Sequence, residues 1–127
     1  MDWQCNTFSQ GFFMVFFNKI RLPAQSSNPS LIEKGLSQSA ALLKQLDHHL
    51  SDNKYLAGNE FTMGDIPLGA MLYRYFTMDI PRPELPMVER FYQLLCDRSA
   101  YEKHVMIPFG TNSDEWLIEE KRNAGIQ

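Results

Sequence analysis

No stretch of this chain is long and apolar enough to cross a membrane. The run Phe12-Phe13-Met14-Val15-Phe16-Phe17 is six residues, against the ~20 that a spanning helix needs. The basic start and small-residue cleavage site of a secretory leader are also absent. Cysteine is scarce. Cys5 and Cys96 are the only two. They lie far apart with no CxxC spacing, which argues for free thiols in a reducing compartment and a cytoplasmic protein. The net charge is −3 and no Lys/Arg-rich run occurs, so nucleic acid and membrane surfaces are not expected partners. Gly-rich phosphate loops, a serine nucleophile elbow, internal repeats and low-complexity tracts are all missing. No metal ligand set is expected. His48 and His49 are neighbours, project about 100° apart on a helix, and read as surface histidines. His104 is isolated and reads as packed or solvated. Cys5, without a paired base, reads as a buried structural thiol.

What is present is bulk for one core. The 127 residues are 44% hydrophobic, with nine Phe, five Tyr and two Trp. That is enough for a single domain over residues 1–127. Four long segments have helical character and none reads as a strand. The first runs from about Trp3 to Arg21 and ends at Pro23. Asn28 followed by Pro29 is a helix start, and the helix runs to about Leu50. Its residues Ile32, Leu36, Ser39, Leu43, Leu46 and Leu50 mark one face. A third helix spans Met63 to about Met78, with Pro67 just past its first turn. A fourth runs from Pro86 to about Arg98. Ser99 caps a short turn to His104, and a last short helix from Ser113 to Arg122 is anchored by Trp116 and Ile118. The expected fold class is all-α: a helical bundle of four long helices plus short C-terminal ones.

Phe61-Thr62-Met63-Gly64-Asp65-Ile66 carries the strongest local signal. Thr62 and Asp65 have the spacing of a capping box. The Thr hydroxyl accepts the Asp65 N–H, and the Asp carboxylate reaches back to the Thr62 N–H. Phe61 and Ile66 have the spacing of the accompanying hydrophobic staple. Gly64, Gly69 and Ala70 cost helix propensity but let helices approach closely, which places this helix at the centre.

The first helix is apolar on every side between Phe12 and Phe17. A helix packed on one side of a bundle needs only a stripe. It is therefore expected to face a second surface that the chain does not supply. Tyr73 and Arg74 read as a core ring and a surface cation, with a pocket-facing role as the alternative. Glu115, Glu119 and Glu120 read as a solvated face paired with Lys121 and Arg122.

Tyr55-Leu56-Ala57-Gly58, Phe61 through Gly69, Pro81-Arg82-Pro83-Glu84-Leu85-Pro86 and Tyr101 through Met106, in that order, resemble the C-terminal helical domain of bacterial cytosolic glutathione S-transferases. Met1-Asp2-Trp3-Gln4 resembles the start of that domain's first helix. The resemblance implies a preceding thioredoxin-like domain that holds glutathione and the Ser, Tyr or Cys that activates its thiol. None of that domain lies in the 127 residues, so a fragment or a shortened product is expected. No catalytic residue and no cofactor can be assigned within the chain; glutathione would be the co-substrate of the parent enzyme. The resemblance also implies that the first helix packs on the thioredoxin-like domain, lines the pocket for an apolar electrophile, and joins the second helix at a homodimer interface. Phe8, Phe12 and Phe16 are the expected pocket wall, and Trp3 and Gln4 are expected near the pocket or dimer seam. On this reading the chain is the co-substrate-binding half of a transferase and is inactive alone. The alternative is a stand-alone helical protein-interaction module.

Overall fold

A computed structural model describes residues 2–126. Met1, which opens the resemblance to the family's first helix, lies outside the described residues. Among those residues there are helices and no strand, as the all-α reading expects. The first helix is continuous but not uniform. It opens with π-helical turns at Gln4–Phe8, becomes α-helical as α1 over Ser9–Phe16, and ends in π-helical turns at Phe17–Arg21. The wide turns were not legible in the sequence. At the first of them the Ser9 N–H donates to the Gln4 carbonyl, five residues back. The Ser9 hydroxyl donates to the Cys5 carbonyl that an α-helical N–H would have taken.

Buried Asn18 fastens the following loop to this helix. Its Oδ1 accepts the Asn28 N–H at 2.9 Å, and its carbonyl accepts the Ser27 hydroxyl at 2.6 Å. Asn28 then caps α2, Pro29–Asp52, accepting the N–H groups of Ser30 and Leu31. Ser39, Leu43, Leu46 and Leu50 of the expected face are buried, while Ile32 and Leu36 pack at its edge. The first helix and α2 cross with almost no side chain between them. A Cβ on Gly35 would stand 2.6 Å from the Gly11 carbonyl oxygen and 2.7 Å from Val15 Cγ2. Only glycine at that crossing allows the approach.

The helix α3 spans Asp65–Thr77, starting two residues later than expected. Pro67 therefore falls inside the first turn, where no intrahelical N–H is owed. The buried Asp65 carboxylate accepts the Thr62 N–H at 2.8 Å and the Leu56 N–H at 3.0 Å. The hydroxyl half of the expected capping box does not form. The Asp65 N–H donates instead to the Thr62 backbone carbonyl at 3.1 Å. One carboxylate thus clasps the helix start to the tight Tyr55–Gly58 turn, where Gly58 takes φ +142°. The expected staple is open on one side, since Ile66 is exposed.

The helix α4, Pro86–Cys96, lacks a cap of its own. Asp47 of α2 supplies one across the bundle, accepting the N–H groups of Met87 and Val88 at 2.8 and 2.9 Å. Val88, Phe91 and Leu95 point inward. Short α5, Ser99–His104, takes Ser99 as its first residue rather than its cap. Tyr101 from α5 donates its hydroxyl to the Gly69 carbonyl at 2.8 Å, seating α5 against α3. The last helix, α6, spans Ser113–Asn123 and is capped by Asn112. It is anchored by Trp116 alone; Ile118, expected as a second anchor, is exposed.

Candidate functional site

The first helix divides its aromatics between two faces. Phe8, Phe12 and Phe16 are 0%, 1% and 1% exposed, whereas Phe13 and Phe17 are 38% and 42% exposed. The buried set stacks as a ladder: Trp3 on Phe8 at 5.7 Å, Phe8 on Phe12 at 6.0 Å, and Phe12 on Phe16 at 5.8 Å between ring centres. Phe16 then meets Phe109 and Trp116 edge-on at 5.7 and 5.6 Å. The expected pocket wall of Phe8, Phe12 and Phe16 is therefore a core wall, enclosed by the chain's own helices. The reason is the glycine crossing. Gly11 and Val15 lie against α2 and carry the neighbouring rings inward with them.

The outward face belongs to Phe13, Phe17 and Arg21, at steps of four. Phe13 and Phe17 meet edge-on at 5.8 Å. The Arg21 guanidinium lies over Phe17 at 5.4 Å and over Trp116 at 4.6 Å. Leaving Phe13 and Phe17 partly in water forgoes a share of the roughly 1.5–3 kcal/mol that full burial of each would contribute. The expectation of a partner-facing side thus survives for two of the four rings in the run. Sequence reasoning passed over Arg21, although its position four residues after Phe17 places it on this stripe.

Two cavities meet at Trp116. One is an open cleft of about 930 Å³ between the first helix and α6, lined in part by Lys19, Arg21, Asp114 and Trp116. The other, about 280 Å³, is lined by Ala70, Arg74, His104, Phe109, Trp116 and Glu120 among others. Arg74 is half-buried, its guanidinium 4.9 Å from the centre of the Phe16 ring. Burial lowers its pKa from the usual arginine value; Glu120 opposes that shift and the charge of Arg21 adds to it. The pocket-facing alternative for Arg74 is the one the structure shows. Tyr73 is a core ring, as expected, its phenol pushed up by burial.

Trp3 and Gln4 border a separate cavity of about 310 Å³ with Leu46, His49 and Leu56. Buried Gln4 directs its amide at Met71 Sδ, 2.8 Å away. Cys5 is exposed rather than buried. Cys96 is half-buried, and burial raises its thiol pKa. His48 and His49 are exposed, and His49 Nε2 lies 2.8 Å from the Leu56 carbonyl. Glu115 turns back to accept the Thr111 N–H and hydroxyl, and Glu119 pairs with Arg122 at 2.6 Å. Among the described residues no group of three or more His, Cys, Asp and Glu could hold a metal.

Residues 5–99 match the family described as "Glutathione S-transferase, C-terminal domain". The chain belongs to that family. It is 32% identical over 108 residues to glutathione S-transferase GstB of Escherichia coli, covering 85% of this chain and 52% of that protein. It is 35% identical over 80 residues to glutathione S-transferase 3 of Zea mays, covering 60% and 36%. Among solved structures, the apo theta class glutathione S-transferase of Xanthomonas axonopodis pv. citri superposes with a TM-score of 0.83 at 40% identity, over 87% of this chain and 58% of that one. The same enzyme with glutathione bound gives a TM-score of 0.82 at 39% identity, over 86% and 57%. The chain thus spans about half the length of the relatives it matches. As a glutathione S-transferase C-terminal domain it has an outward face made by Phe13, Phe17 and Arg21 rather than by the three buried rings.

Proposed function

We propose that this chain is the co-substrate-binding, helical half of a glutathione S-transferase. The parent enzyme conjugates glutathione to an apolar electrophile. The thiolate sulfur forms the new C–S bond, the leaving group departs with its electron pair, and the thiol proton passes to solvent. The thioredoxin-like half holds and activates glutathione. The helical half presents the apolar surface on which the electrophile and the companion domain meet, and contributes to a homodimer interface. The observation that carries this reading is the half-exposed Phe13–Phe17 pair on a helix whose other phenylalanine rings are fully enclosed. Membership of the family and the match to 52% of the E. coli relative support it. Two free cysteines suit a reducing cytoplasm.

On this proposal the 127 residues alone have no useful transferase activity. The test is the rate of chlorodinitrobenzene conjugation by the purified chain with glutathione. No rate above the uncatalysed reaction is expected, and a clear protein-dependent rate overturns this division of labour. A stand-alone interaction module predicts something different: recovery of one stoichiometric protein partner that Phe13→Glu abolishes, with no affinity for small aromatics.

A further inference from the structure

One cavity has no residue of the first helix in its wall. It measures about 350 Å³ and lies between the start of α3, the end of α4 and α5. That volume falls within the roughly 300–1,000 Å³ of small-molecule sites. Its floor is held in place. Leu95 and Tyr101 are buried there, and the Tyr101 hydroxyl donates to the Gly69 carbonyl at 2.8 Å. Val105 and the half-exposed Ile66 extend the floor into an aliphatic wall. Phe61 closes a further side. Its ring is already engaged: the Arg98 guanidinium lies over it at 3.8 Å, and Tyr55 meets it edge-on at 6.0 Å. Arg98 stands at the mouth, beside exposed Ala100 and His104. Arg82 also lies over a ring, but its Nη1 donates to the Met78 carbonyl at 2.9 Å. Among the described residues the Arg98 side chain has no hydrogen-bond acceptor and no ion-pair partner. Stacking occupies the face of a guanidinium and leaves its N–H edge open. The acidic group in the lining is Asp65, fully buried, with one carboxylate oxygen on the Leu56 N–H and the other on the Thr62 N–H. Its negative charge turns an anionic head away from the floor and toward Arg98.

We propose that this cavity is a binding site for a small molecule with a short alkyl body and one carboxylate. The body lies against Ile66, Leu95 and Val105, and the carboxylate sits on the open edge of Arg98. Burial of the alkyl groups supplies the affinity, and the guanidinium fork matches the two carboxylate oxygens. The site goes beyond the function proposed above and does not depend on it, because the co-substrate face is on the first helix.

The probes are hexanoate and hexanamide, which share the alkyl body and differ in charge. Each is titrated into the 127-residue chain with isotope-labelled Ile, Leu and Val methyl groups, and binding is read from the methyl NMR shifts. The expected result is saturable movement of the Ile66, Leu95 and Val105 methyls. The Kd for hexanoate should be at least roughly threefold below that for hexanamide, and the gap should narrow as salt rises. Arg98→Met keeps an apolar stem beside Phe61 and should bring the two values together with little change for the amide. Ala100→Trp, at an exposed position, should fill the cavity and abolish the shifts with both probes. Circular dichroism checks that each variant folds, and if Ala100→Trp does not, Arg98→Met decides the matter. Equal affinities for the two probes overturn the proposal. So does the lack of a saturable shift with either, or movement confined to methyls outside this cavity. Each of those failures leaves the co-substrate reading standing, since that reading is tested at Phe13 and Phe17.

Discussion

Replacing Asp65 should open the start of α3, and replacing Thr62 should be nearly silent. The Asp65 carboxylate is fully buried and accepts two backbone N–H groups, from Leu56 and Thr62. Hydrogen bonds to a charged group contribute about 1.5–3 kcal/mol each. Removing the carboxylate also removes the cost of burying it, which offsets part of that loss. Asp65→Ala should therefore destabilise by about 2–4 kcal/mol, because both N–H groups lose their acceptor and water reaches them poorly. Asp65→Asn keeps the shape and one good acceptor, and should cost about 1–2 kcal/mol. Thr62 takes part through its backbone N–H and carbonyl alone, so Thr62→Ala should stay within about 0.5 kcal/mol. The assay is urea unfolding followed by far-UV circular dichroism. With a slope near 2 kcal/mol/M, a 3 kcal/mol loss moves the midpoint by about 1.5 M, a large fraction of the 5–15 kcal/mol that holds a domain of this size. A Thr62→Ala midpoint as low as that of Asp65→Ala would show that the hydroxyl does the capping and refute the carboxylate clasp.

Gly35→Ala gains helix propensity of about 1 kcal/mol but puts a methyl within 2.6 Å of the Gly11 carbonyl. A net loss of about 1–2 kcal/mol in the same urea assay is expected, and a gain would contradict the close crossing. Gly64→Ala meets nothing nearer than Thr62 Oγ1 at 3.5 Å, at an ordinary helical φ of −64°. It should therefore stabilise by about 0.4–1 kcal/mol. Phe12→Ala should cost about 3–5 kcal/mol, whereas Phe13→Ala should cost under about 1 kcal/mol in thermal unfolding. The Glu115 carboxyl is held below the usual glutamate pKa, first by the Thr111 hydroxyl and then by its N–H. Its contribution is present above the unfolded-state value and is lost as pH falls through the folded one. Thr111→Ala should move its NMR titration part-way back up.

Much of the bundle was legible because its signals are local. Asn28 with Pro29 marks a helix start through cap chemistry, and the face from Ser39 to Leu50 follows from period alone. The clasp was half legible. Spacing identified Asp65, but whether the hydroxyl or the carbonyl of Thr62 answers it depends on backbone geometry that spacing does not encode. The side of the first helix that faces inward was not legible from hydrophobicity, since aromatic residues occupy both faces. Gly11 was the available clue: glycine opposite a second glycine permits a crossing that drags Phe8 and Phe12 inward. The Asp47 cap on α4 joins residues 40 apart in sequence, and no local pattern announces it. Arg21 and Arg74 each border a cavity lined by Trp116, and that ring reaches them only because α6 packs against the end of the first helix.

The central claim is that Phe13 and Phe17, not Phe8, Phe12 and Phe16, form the face proposed to receive an apolar co-substrate. The most direct test is fluorine NMR of the chain labelled with 4-fluorophenylalanine and titrated with methyl 3,5-dinitrobenzoate, each signal assigned by substitution. Shifts at Phe13 and Phe17, with the three ladder rings unmoved, are the expected result. Shifts at Phe8, Phe12 or Phe16, or none at Phe13 and Phe17, would contradict the account.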